Sequence, residues 1–114
     1  MTISPQVAPN VSASTAPRTT TLTAVWDAVL VRGVGVMSVS RFGPGQYIVF
    51  FHHDVSQGAY VATLGSANTV AFMPPGEIVV SPAENAPNAV VVLTFGSGGL
   101  PFQDRGFHLA VHLP

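Results

Sequence analysis

The chain has 114 residues, enough for one domain with a real core; 47% of them are hydrophobic and only 8% are charged. Four arginines, no lysine and a formal net charge of −1 exclude the basic stripe that nucleic-acid binding requires. The lack of cysteine excludes a disulfide framework and zinc-finger spacing, and no apolar run approaches the roughly 18 residues of a membrane span.

Residues 1–19 are unlike the rest. Ser, Thr, Pro, Ala, Asn and Gln dominate, with Pro5, Pro9 and Pro17 spaced through them. Such a segment cannot offset its ordering entropy by burying its own apolar surface. It reads as an extended arm ahead of a domain at 20–114, with Pro5, Val7, Pro9, Val11 and Pro17 as the residues that lie against a partner. The first residues show neither the basic start nor the apolar run of a secretory signal, so synthesis in a cytoplasm without standard secretion is expected.

Strands begin at Thr20. Thr20 to Trp26 alternates, and a short run from Ala28 to Arg32 follows Asp27. Residues 33–54 read as a central hairpin, reversed at Phe42-Gly43-Pro44-Gly45. Its first arm would set Val34, Val36, Ser38 and Ser40 against Met37, Val39 and Arg41. Its second would set Tyr47, Val49 and Phe51 against Ile48, Phe50 and His52. Apolar groups on both faces predict cover on both sides, by a second sheet and by a neighbouring subunit, and Phe50 and Val92 are expected in the core.

Ser56-Gln57-Gly58 turns the chain into a strand from Ala59 to Leu64, followed by a turn at Gly65 to Asn68. A short strand from Thr69 to Met73 is expected to stop at Pro74-Pro75-Gly76, and one from Glu77 to Ser81 to stop at Pro82. Ala83 to Asn88 reads as a polar loop with room for a helical turn. Ala89 to Phe95 is the most apolar run and should be a central strand. After a loop at Gly96 to Gly99 and Pro101, the last strand sets Phe107, Leu109, Val111 and Leu113 against His108, Ala110 and His112. Nothing reads as a long helix. The pattern predicts an all-β domain, a β-sandwich or small barrel of about seven to nine antiparallel strands with an extended N-terminal arm. The nine charged residues sit mainly beside turn residues, so the strands are almost uncharged, which points to burial of much of this surface in an assembly.

Few residues promise chemistry. His52 and His53 are neighbours on a strand and would point to opposite faces. His108 and His112 share a face but stand about 13 Å apart, a spacing that suits metal ligation on a helix and not on a strand. Ser97 lies in a glycine-rich loop without the strand-to-helix context of a nucleophile, and no spacing links Asp54, Glu77, Glu84 and Asp104. Trp26 reads as core. No cofactor, metal or enzymatic activity is expected.

The run Gly33-Val34-Gly35-Val36-Met37-Ser38-Val39-Ser40-Arg41, with Gly45 to Phe51, Asp54-Val55, Ala59 to Gly65 and Phe107 to Val111, resembles a small β-domain of bacteriophage tail-fibre and virion surface proteins and of related, often actinobacterial, proteins. Trp26, Val29 and Arg32-Gly33 fit its opening pattern, so the resemblance spans residues 26–113. Its motifs are structural glycines and strand residues, and it brings no catalytic residue. Related sequences often carry Cys beside the Gly-Ala-Tyr run and near the C-terminus; Ala59 and His112-Leu113 stand here instead, so no such disulfide can form. The resemblance implies a virion structural protein. By analogy with small phage-head proteins, the arm and the uncharged strands further imply a capsid decoration protein, a homo-oligomer, most simply a trimer, located in the virion and attached through its arm to the major capsid protein or another virion protein. The alternative is a fibre or surface module recognising a cell-surface glycan or protein, with Tyr60, Trp26 or the histidines on an exposed rim.

Overall fold

The computed structural model describes residues 20–67, 72–99 and 101–114. They form eight strands: β1 (Thr20–Trp26), β2 (Val29–Val34), β3 (Val36–Gly43), β4 (Gln46–Phe51), β5 (Ala59–Leu64), β6 (Gly76–Ala83), β7 (Ala86–Gly96) and β8 (Phe107–His112). Two four-stranded sheets, ordered β2-β1-β8-β5 and β3-β4-β7-β6, face each other as a β-sandwich in which every pairing is antiparallel. The described residues contain no helix, so none is long and apolar enough to cross a membrane. The expected arm, with Pro5, Val7, Pro9, Val11 and Pro17, lies outside the described residues.

The expected face pattern of β4 and β8 holds. Tyr47, Val49 and Phe51 point inward from β4 and meet Phe107, Leu109 and Val111 of β8; Val25, Val55, Val90 and Val92 complete this buried cluster. The Tyr47 and Phe107 rings cross the interface at 5.3 Å, tilted by 55°. The most apolar run lies, as expected, inside a sheet, with β7 between β4 and β6.

Several local expectations are corrected. The single arm expected through residues 33–41 is divided between the sheets. Gly35 has φ 78°, and a Cβ there would stand 2.9 Å from Thr21 Cγ2, so the chain crosses between layers at the one residue type that tolerates it. Just beyond, the β3 register shifts between Val36 and Ser38. This bulge sets Val36 opposite buried Phe51 and Val39 opposite buried Val49, so both valines pack on the core and not on opposite faces. Phe50 lies on the outer face beside Ala89 and is not a core residue. Pro82 does not stop β6, because β6 is an edge strand and the missing N–H can face solvent.

The loop expected from Ala83 to Asn88 is instead a tight turn at Glu84-Asn85, with Asn85 at φ 61°, and β7 takes in Pro87 without a helical turn. Of the strand expected from Thr69 to Met73, residues 69–71 lie outside the described residues, and Phe72 and Met73 are not in a strand. Charges are also less confined to turns than the sequence suggests: Arg32, Arg41 and Glu77 stand in β2, β3 and β6. All three are edge strands, where a charge discourages uncontrolled pairing.

This core predicts a graded mutational response. Phe51→Ala should cost about 3–5 kcal/mol and Val92→Ala about 1–3 kcal/mol, while Phe50→Ala should cost clearly less than Phe51→Ala despite the identical chemistry. Urea denaturation reads this directly, and equal losses at Phe50 and Phe51 would contradict the assigned faces.

Candidate functional site

The densest polar contact ties one end of the sandwich together. The Asp104 carboxylate accepts hydrogen bonds from Arg41 Nε at 3.0 Å, Arg41 Nη2 at 2.8 Å, the Gly45 amide at 2.7 Å and Tyr47 Oη at 2.8 Å. Four donors on one carboxylate, led by Arg41, hold its pKa down at about 2. Burial and the bond to Asp104 push the Tyr47 phenol up to about 12. Gly45, with φ 67°, sits so close to the Thr94 carbonyl and to Gln103 that a side chain has no room. Thr94 closes the arrangement, donating its hydroxyl to Gln103 O at 2.6 Å. Every donor is directed at a residue of the fold itself, so this is a structural clamp between the β3–β4 turn and the segment before β8.

The outer faces of the sheets are the surfaces on which a partner can act. On the β2-β1-β8-β5 sheet, the register lines residues up across the strands. One row is Arg32, Ala24, His108 and Thr63; the next is Val34, Leu22, Ala110 and Val61; a third is Thr20, His112 and Ala59. The first row is roofed by the chain leaving β5. Gly65 N donates to Gly106 O, His108 Nε2 meets Ser66 O at 3.1 Å, and Arg32 Nη1 donates to Ala67 O at 2.9 Å. This strap leaves Ala24 only 5% exposed. The second row has no such cover: Val34, Leu22 and Val61 are 60%, 49% and 61% exposed. The first and second rows line a shallow hollow of about 500 Å³.

The outer face of the β3-β4-β7-β6 sheet is broader. Ile48 lies beside Val91, Phe50 beside Ala89, and Leu93 beside Val79. Phe95 stacks on Phe102 with ring centres 4.9 Å apart. No charged side chain stands among these residues; Glu77 is at the margin of the patch, opposite Phe95. Apart from Val79 and Phe102, which are exposed, and Ala89, which is buried, these apolar residues are half-buried.

The remaining candidates separate. Tyr60 points inward, packs on the core and donates its hydroxyl to Val55 O at 2.8 Å, so it is not on an exposed rim. Trp26 is half-buried with its ring edge against Gly106, and it lines a cleft of about 390 Å³ with Asp27, Met73, Pro74 and Arg105. His52 is exposed on the bend after β4, and His53 beside it is half-buried. His108 is held by the strap, while His112 is exposed. Among the described residues, no three His, Cys, Asp or Glu side chains gather as a metal site. Ser97 is exposed in its loop. Sequence reasoning missed the Asp104 clamp, whose Arg41 partner is 63 positions away, and the strap, whose acceptors are backbone carbonyls. No protein family, curated protein or solved structure matches the chain.

The clamp makes a pH prediction. Asp104 titrates at about 2 when folded against an ordinary 3.8, so on acidification the unfolded chain takes up the proton first. The stability it contributes is complete above about pH 4 and is lost on going down to about pH 2. Tyr47 acts in the opposite sense: its contribution is present below about pH 10 and is lost on rising to about pH 12. Asp104→Asn should lower stability at neutral pH by about 1–3 kcal/mol and flatten the acid limb. Parallel acid limbs in variant and wild type would remove Asp104 from this role.

Proposed function

We propose that the protein is a structural component of a bacteriophage virion, a capsid decoration protein that forms a homotrimer and attaches to the shell through residues 1–19. The single observation that supports this reading most is the uncharged outer face carrying Ile48, Val91, Leu93 and Phe50, each of them partly exposed. A protein working alone in water gains nothing from such a face; a subunit of an assembly buries it against a second copy. The strand order supports a well-braced contact element, since every central strand is paired on both sides. The low charge of the chain fits an assembly held by apolar contact.

A second reading, a surface module recognising a cell-surface glycan or protein, is favoured by the Trp26 cleft. There a half-buried indole stands beside Asp27 and Arg105, a combination able to stack on a sugar ring and hydrogen-bond its hydroxyls. Binding of intact host cells that is lost in Trp26→Ala would favour this reading over the first.

Removing residues 1–19 should leave the sandwich folded and abolish co-sedimentation with empty phage shells. Full-length protein should bind with little difference between low and high salt, because few ion pairs are available. Equal sedimentation of truncated and full-length protein would rule out the arm as the attachment.

A further inference from the structure

We propose that the cleft beside Trp26 binds a neutral sugar ring and rejects both acidic and amino sugars. This rests on the surface-module reading given above and names the ligand class of that cleft.

The cleft lies at one end of the sandwich, where parts of both sheets converge. Trp26 ends β1, and Asp27 begins the two-residue turn into β2, with Asp27 and Ala28 at φ 55° and 62°. Met73 and Pro74 come from the segment before β6, and Arg105 from the segment before β8. The indole edge rests on Gly106, where a Cβ would stand 2.5 Å from Trp26 Cε3, so the place of the ring depends on a residue without a side chain. At about 390 Å³ the cleft is near the lower end of small-molecule sites, which suits one or two rings and not a long chain.

Charge decides the class. Asp104 also borders the cleft, but its carboxylate is taken by Arg41, the Gly45 amide and Tyr47. Two groups are left for a ligand. Asp27 is exposed and, among the described residues, receives no hydrogen bond; its carboxylate can only accept. Arg105 can only donate. Its Nη1 donates to Asp104 O at 3.0 Å and its Nη2 to Pro75 O at 3.4 Å. Each of these nitrogens carries two N–H groups and so keeps one, while Nε is buried out of a ligand's reach. Arg41 and Asp104 compensate each other as an ion pair, so the cleft offers one negative and one positive charge.

A ligand group that only accepts, such as a carboxylate, suits Arg105 and is repelled by Asp27. One that only donates, such as an ammonium, suits Asp27 and is repelled by Arg105. A hydroxyl does both and carries no charge to be desolvated. Neighbouring hydroxyls on one ring can therefore donate to Asp27 and accept from Arg105. The C–H face of the same ring covers the indole, with Met73 and Pro74 as further apolar wall.

Trp26 is the only tryptophan of the chain, so its fluorescence and its indole N–H resonance report on this cleft alone. The test titrates the full-length protein with the methyl glycosides of glucose and galactose, their uronates and their 2-amino derivatives, which share a ring and differ in charge. At least one neutral glycoside should move the Trp26 signals with a Kd on the order of millimolar, as expected of one stacked ring in an open cleft. The charged forms of that same sugar should bind about tenfold more weakly. Asp27→Asn keeps the turn, since Asn tolerates the left-handed conformation, and removes the negative charge. That variant should bind the uronate more tightly than the wild type does, and the amino sugar more weakly. A wild-type protein that binds either charged form as tightly as the neutral one would overturn the proposal and leave the cleft a sugar site. So would an Asp27→Asn variant with unchanged preferences. Trp26 signals that no glycoside moves would also overturn it; the surface-module reading would then survive only if host-cell binding is still lost in Trp26→Ala, which would make a protein the ligand.

Discussion

The contact on which the rest of this structure depends is the meeting of two inner rows, Tyr47, Val49 and Phe51 from one sheet and Phe107, Leu109 and Val111 from the other. It fixes which face of each strand is inside, because a slip of one residue would turn every side chain over. The crossing at Gly35 exists to serve it. β2 and β3 are nearly continuous in sequence, yet they belong to different layers, and the left-handed glycine between them redirects the chain so that Val36 can join the core.

Once the inner rows are chosen, the outer rows follow, and here the composition has its consequence. A sandwich that is a free monomer usually places polar residues outside. In this chain the outer rows of the central strands carry Ile48, Phe50, Val91, Leu93, Leu22 and Ala110. Charge is held to edge strands and turns. The polar interactions at the Asp104 carboxylate and along the Gly65–Ala67 strap stitch loops onto strands, and the strap covers one row of the β2-β1-β8-β5 outer face. The two faces differ in form. One carries mainly apolar side chains; the other has one row covered by the strap and the next row exposed.

Much of this fold was legible in the sequence because strand alternation is a local signal. Phe107 to Leu113 and Gln46 to Phe51 showed their faces directly, and the run from Ala89 to Phe95 announced a central strand. The misplacements share a physical origin. A bulge at Met37 inserts one residue and exchanges the faces of everything after it, and nothing in Val36 to Ser40 signals it. Pro82 looked like a stop because its consequence depends on whether the strand lies at an edge, which is a property of the sheet. Phe50 and Phe51 are chemically identical neighbours, and only the packing of β4 against the opposite sheet tells which is inside. The candidate surfaces were harder still. Asp104 meets Arg41, 63 positions away, through folding alone.

The account therefore turns on whether the uncharged outer face of the β3-β4-β7-β6 sheet is covered by another copy of the chain. Sedimentation equilibrium of the full-length protein at micromolar concentration addresses this most directly, with Val91→Lys as the matched variant. The account predicts a single oligomeric species for the wild type and a folded monomer for Val91→Lys. A wild-type protein that sediments as a monomer, stable and soluble with Val91 and Leu93 open to water, would contradict it.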